Sequence, residues 1–103
     1  MFRVVFVTAA NKKQERKISS ALVKARLCAC VNIIDGIESI FYWKGKLDKA
    51  REVLLIIKSR KDKITKIIKL VKSMHTYDLP EIISLPVTEG LKPYLNWINE
   101  SLR

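Results

Sequence analysis

Glycine, proline, cysteine and histidine are all scarce in this chain: three Gly, three Pro, two Cys and one His in 103 residues. With so little Gly and Pro and about half the residues apolar, a linker or a disordered tail is excluded, and one compact domain over 1–103 is expected. Two cysteines, Cys28 and Cys30, are too few and too close for a disulfide framework and read as free thiols. Apolar runs are short. None approaches the roughly 20 residues of a membrane helix, so no membrane partner is expected. The opening MFRVVFVTAANKK has no basic segment before its short apolar stretch, which argues against a signal peptide and makes the cytoplasm the expected compartment. A P-loop, a G-x-G-x-x-G turn and a recognisable nucleophile–base pattern are also missing. No catalytic residue is therefore assigned, and the chain is not expected to be an enzyme.

Acidic residues are outnumbered: ten Asp and Glu against twenty Lys and Arg, for a net charge of +10. The bases are spread along the chain, with seven between Lys58 and Lys72. Such a surface concentrates anions around it. A lysine-rich solvated exterior is the plainer reading, and nucleic acid is not the expected partner.

What the chain does have is a clear succession of periodic segments. FRVVFVT (Phe2 to Thr8) is β-branched and apolar, a buried strand. Asn11 with Gln14 three residues on is a capping-box-like helix start, and Ile18, Ala21, Leu22 and Ala25 follow at helical spacing. ACVNIIDGIESIFYW (Ala29 to Trp43) reads as a long strand bent or bulged at Asp35-Gly36. Lys44-Gly45 is a hairpin turn, and the returning strand starts near Leu47 and ends in VLLIIK (Val53 to Lys58). Its polar first half, LDKARE, places the hairpin tip beyond the core. Asp62 is expected to cap a second helix striped by Ile64, Ile67, Ile68 and Val71. EIISLPV (Glu81 to Val87), bracketed by Pro80 and Pro86, is a short strand at an edge. Pro93 suits the first turn of a last helix carrying Tyr94, Leu95, Trp97, Ile98 and Leu102. The order β-α-β-β-α-β plus a C-terminal helix is the ferredoxin-like α+β plan. Helices then cover one face of the sheet, and strands this apolar make self-association the simplest cover for the other.

Three stretches carry chemistry-bearing side chains. His75 falls on the apolar side of the second helix if that helix reaches it, and the plainer reading is an imidazole closing the last turn. Cys28 and Cys30 are soft donors suited to copper(I) or zinc, though two thiols alone are more often small buried residues. FYWKGK (Phe41 to Lys46) alternates its aromatics across a strand, which suits an interface anchor better than a stacking platform for bases. Glu52, Lys58, Asp78 and Glu81 are ionisable groups near strand ends.

RLCACVNIIDGIESIFYWKGKL, EVLLIIKS, HTYDLPEIISLPVTEG and YLNWINESL, in that order from Thr8 to Leu102, closely resemble the CutA family of divalent-cation tolerance proteins. The resemblance implies a ferredoxin-like protomer in a homotrimer, related in architecture to the PII signalling proteins, with no enzymatic activity. It implies binding of copper(II) or another divalent cation, no organic cofactor, and a tolerance or signalling role. The family's recurring positions fall on Cys30, Trp43, Gly45, Glu52, Lys58, His75, Tyr77, Pro80 and Glu81. Cys30 and His75 are the expected metal ligands, and Trp43, Glu52, Lys58, Tyr77 and Glu81 the expected lining of a cleft between subunits. Cys28, Asp35 and Thr76 depart from the family's usual small residue, Pro and Pro. Two other readings remain beside it: a PII-like sensor of small molecules or anions, and a basic ferredoxin-like module that binds nucleic acid.

Overall fold

The structure is a computed structural model describing all residues, 1–103. Its elements are β1 (Phe2–Ala9), α1 (Lys12–Lys24), β2 (Cys30–Trp43), β3 (Lys46–Arg60), a 3-10 turn (Lys61–Lys63), α2 (Ile64–Met74), β4 (Ile82–Pro86) and α3 (Lys92–Ser101). The strands lie in the order β2-β3-β1-β4, every neighbour antiparallel. Each β-α-β crossover skips one strand, which is the split ferredoxin-like topology expected from the element order.

Alternation along the strands sorts the side chains. Val5, Val7 and Ala9 of β1 and Val53, Leu55 and Ile57 of β3 point to the helices and are at most 2% exposed. Ile18 and Leu22 of α1 and Ile67 and Val71 of α2 meet them, all fully buried. Full burial of such side chains is worth about 1.5–3 kcal/mol each, so this layer holds the fold together. Val4, Phe6, Leu54 and Ile56 occupy the other face with Ile34, Ile83 and Leu85, the last three exposed by 47%, 53% and 43%. The face left bare by the helices is therefore apolar and open. Ile68 and most of α3 are likewise uncovered. In α3 only Ile98 is buried, while Tyr94 and Trp97 stack outside it with ring centroids 5.5 Å apart.

Local signals explain most boundaries. Asn11 Oδ1 accepts from the Gln14 amide at 2.9 Å, and Gln14 Oε1 accepts from the Ala10 amide at 2.8 Å, so two free donors at the start of α1 are satisfied. α1 closes with Leu27 N–H donating to Leu22 O and Arg26 N–H donating to Val23 O, a Schellman ending that puts Arg26 at φ +60. Asp35 and Gly36 together face Val53 alone, between the pairs Ile34–Leu54 and Ile37–Glu52. That bulge re-aims the outer half of the hairpin. Lys44 (φ 52) and Gly45 (φ 79) form the tight turn whose left-handed backbone matches strand twist.

Two expectations are corrected. Asp62 does not cap α2: it sits inside the 3-10 turn, where both its oxygens accept from the Arg60 guanidinium at 2.9 Å. A planar fork two residues away offers a carboxylate more than a single amide does. That pairing holds the Asp62 carboxyl below its usual range. His75 does not close the last turn of α2 either. The helix ends at Met74, and His75 is extended, φ −87 and ψ 145.

If the layer between sheet and helices is the source of stability, Leu55→Ala should cost about 2–5 kcal/mol. Lys66→Ala on the exposed side of α2 should change stability by less than about 0.5 kcal/mol. Denaturant unfolding of the two variants checks this contrast.

Candidate functional site

A cleft of about 840 Å³ opens between the projecting hairpin and the segment 76–81 that follows α2. Three hydrogen bonds place that segment. His75 Nε2 lies 2.7 Å from Thr8 O at the end of β1. The Tyr77 amide donates to His75 Nδ1 at 3.1 Å. Since Nδ1 accepts, the neutral ring carries its proton on Nε2 and donates it to Thr8 O. The third bond runs from Gln14 Nε2 to Thr76 Oγ1, 2.8 Å, and ties the start of α1 to the same segment. Thr76 thus anchors by its hydroxyl a joint that a proline would have stiffened with its ring.

This scaffold turns Tyr77 into the cleft. Its ring packs on His75 with centroids 4.6 Å apart and planes at 49°. Burial, and then the adjacent Glu52 carboxylate, push the Tyr77 hydroxyl up to about 12. Glu52, the residue after the bulge on β3, is only 7% exposed, and no Lys or Arg nitrogen pairs with it. Glu81 lines the same cleft, and its carboxyl is raised above the usual range by burial first and by the charge of Glu52 second. Trp43 and Phe41 form the hairpin wall.

Four of the five expected lining residues, Trp43, Glu52, Tyr77 and Glu81, come together here. Lys58 does not. It pairs with Cys30 across β2 and β3, on the rung that continues to Val4 of β1. Thr8, where His75 is bound, is four residues further along β1, about 13 Å away along the strand. One chain therefore does not bring Cys30 and His75 together, and both imidazole nitrogens are already engaged. No group of three or more His, Cys, Asp or Glu side chains in the chain is placed to hold a metal ion. Cys28 is 1% exposed, and burial, with the charge of Cys30 second, raises its thiol to about 12, so it stays protonated at neutral pH.

Asp48 and Thr8, also in the lining, were not singled out from sequence. Asp48 was readable: counting back from the Lys44-Gly45 turn pairs it with Phe41.

Residues 3–101 match the family model described as CutA1 divalent ion tolerance protein. The chain belongs to that family. It is 41% identical over 101 residues to the divalent-cation tolerance protein CutA of Thermus thermophilus, covering 98% of each chain. It is 43% identical over 100 residues to the chloroplastic protein CutA of Arabidopsis thaliana, covering 97% of this chain but only 55% of that protein. The chain thus spans about half the length of some relatives it matches. The solved Thermus CutA1 structure superposes with a TM-score of 0.98 at 40% identity, covering 100% of both chains. A structure titled periplasmic divalent cation tolerance protein CutA, from Archaeoglobus fulgidus, gives 0.97 at 37% identity over 100% of both. No helix of this chain is long and apolar enough to cross a membrane.

Glu81 supplies a test of the cleft's electrostatics. Its folded-state carboxyl binds a proton more tightly than the unfolded one, so stability is lost as pH rises through the raised value. In metal-free buffer, Glu81→Gln should raise the melting temperature at pH 7, and the gain should vanish below about pH 4, where both states are protonated. Melting curves across that range check the sign.

Proposed function

We propose that this CutA1 chain works by binding divalent cations, copper(II) among them, and that its output is tolerance or signalling rather than turnover. The observation that carries this reading is Glu52: a nearly buried carboxylate with no basic partner, facing a cleft beside a second carboxylate that its charge perturbs. A carboxylate that lines a cleft without a basic partner has oxygens to offer a hard cation from solvent. The relatives' names, divalent-cation tolerance protein, point the same way. Glu52 and Glu81 are the oxygen donors of choice, with water or a neighbouring protomer completing the shell. Cys30 and His75 remain the softer-donor alternative, and contact between subunits would have to unite them.

We further propose a homotrimer in the cytoplasm. The apolar outer face of the sheet, with Ile34, Ile83 and Leu85, and the exposed aromatics of the hairpin and α3 support self-association. The PII-like anion-sensor reading draws less support from this cleft, which within one chain is lined mostly by acids.

Calorimetric titration with copper(II) and manganese(II) tests the assignment. Glu52→Gln should weaken binding at least tenfold, while Cys30→Ala, which leaves the His75 strut in place, should change it by less than threefold. The opposite pattern would move the site to the thiol and imidazole, and no binding at all would end the metal reading. Light scattering on the same samples reports the subunit number, and a monomer would sink the trimer.

A further inference from the structure

The twenty bases are scattered along the sequence, but the fold collects seven of them on one surface. Lys13, Arg16, Lys17 and Lys24 are exposed on α1, and Lys66, Lys69 and Lys72 on α2. The two helices pack side by side over the core. Their outer surface lies on the opposite side of the sheet from the bare apolar face, so self-association through that face leaves it in solvent. No accessible acid answers these charges. Glu15 is the one acid in either helix. It is 2% exposed, and its oxygens accept from Lys12 Nζ at 3.0 Å and Ser19 Oγ at 2.8 Å. The ion pairs of the chain, Lys12–Glu15, Arg60–Asp62 and Lys63–Asp62, use none of the seven. Lys13 and Lys17, Lys66 and Lys69, and Lys69 and Lys72 stand three or four residues apart on their helices, where an acid at either place would attract. A surface that only keeps a chain in solution mixes both signs. This one carries a single sign, which concentrates anions against it.

The layout of the charges selects among anions. Gln14 donates to Thr76, which sets the start of α1 beside the end of α2. The helices therefore run antiparallel, and each presents its own row of bases. From Lys13 to Lys24 the α1 row spans about 16 Å, and the axes of packed helices stand about 8–10 Å apart. Two rows of cations at that separation match the two phosphate rows that border a groove of duplex nucleic acid, about 6 Å wide on the minor side and about 12 Å on the major. A single strand offers one row, and its bases seek aromatic rings. α1 and α2 contain none. A lipid surface takes up apolar side chains along with bases. Here the apolar stripes of both helices are spent on the core, and of their large apolar side chains only Val23 and Ile68 are exposed.

We propose that the α1–α2 face is a docking surface for duplex nucleic acid, which it holds through the phosphates without reading the bases. None of the seven cations lines the cleft, so this contact is separate from the cation site proposed there. Each cation that meets a phosphate releases counterions from the duplex. Seven such contacts give a log–log slope of affinity against salt of about −6, at about −0.9 per contact.

The test is fluorescence anisotropy of a labelled mixed-sequence duplex titrated with the full chain at several salt concentrations. Lys17→Gln combined with Lys69→Gln removes one charge from each row. Lys46→Gln combined with Lys92→Gln removes the same charge from outside the helix face. Circular dichroism and gel filtration confirm that both variants keep the wild-type fold and assembly. Wild type should bind at low salt, with affinity falling steeply as salt rises. The first variant should bind about tenfold more weakly and with a slope shallower by about 2. The second should stay within about twofold of wild type. Equal weakening in both variants overturns the inference, as attraction to the net charge at large. Absence of binding at low salt overturns it as well. Tighter binding to a single strand of the same length overturns it, and so does binding to phosphatidylserine vesicles without binding to the duplex. None of these outcomes bears on the cation reading of the cleft.

Discussion

Two helices cover one face of a four-stranded sheet, and most of the molecule follows from that one-sidedness. The covered face is closed by residues of complete burial: Val5, Val7, Leu55 and Ile57 beneath Ile18, Leu22, Ile67 and Val71. The other face keeps its apolar character with nothing over it. Because β2 and β3 run 14 and 15 residues against 8 in β1, their outer halves extend past the helices and have no core of their own. The cleft exists because that overhang meets the segment leaving α2.

The cleft wall is held by hydrogen bonds more than by packing. His75 spans Thr8 and Tyr77, and Gln14 reaches across to Thr76. The imidazole therefore works as a strut. A neutral ring that accepts at one nitrogen and donates at the other satisfies two backbone groups that would otherwise need water. Gln14 has a similar double duty, since its oxygen closes the start of α1 while its nitrogen fixes the loop. Moving either side chain would displace Tyr77, and with it the group that faces Glu52.

Features governed by neighbours in sequence were legible. The Asn11 cap, the Asp35-Gly36 bulge, the Lys44-Gly45 turn and the strand order rest on turn chemistry and periodicity, which act over a few residues. The resemblance proposed Trp43, Glu52, Lys58, Tyr77 and Glu81 for a cleft between subunits, and the first, second, fourth and fifth of these line a cleft within one chain. Features governed by distant partners were not. Sixty-seven residues separate His75 from the carbonyl it binds, so helical spacing alone suggested the wrong surroundings for it. Glu52 lies in LDKARE, a stretch whose polarity suggests full exposure, yet it sits in the cleft with Tyr77 and the segment after α2, which sequence neighbours do not reveal. The resemblance grouped Cys30 with His75 and Lys58 with a cleft between subunits; within one chain the register sets both Cys30 and Lys58 four rungs from Thr8. Asp62 went to the nearest guanidinium, a competition that cap rules do not weigh.

The distribution of charge gives these pieces a common direction. Lys13, Arg16, Lys17, Lys24, Lys66, Lys69 and Lys72 are all exposed on the two helices, while Asp48, Glu52, Asp78 and Glu81 line the cleft with Lys49. Bases in water at well-spaced helical positions cost little, because solvent screens them within about 10 Å. Glu52 is different: it is removed from water, denied a basic partner in a chain rich in them, and set near Glu81, which its charge already perturbs. A fold seeking stability alone would pair that carboxylate with a lysine or replace it by an apolar side chain. Set at the foot of the cleft beside Tyr77 and Glu81, Glu52 joins the strand overhang and the loop after α2 into one acidic pocket on an otherwise basic chain.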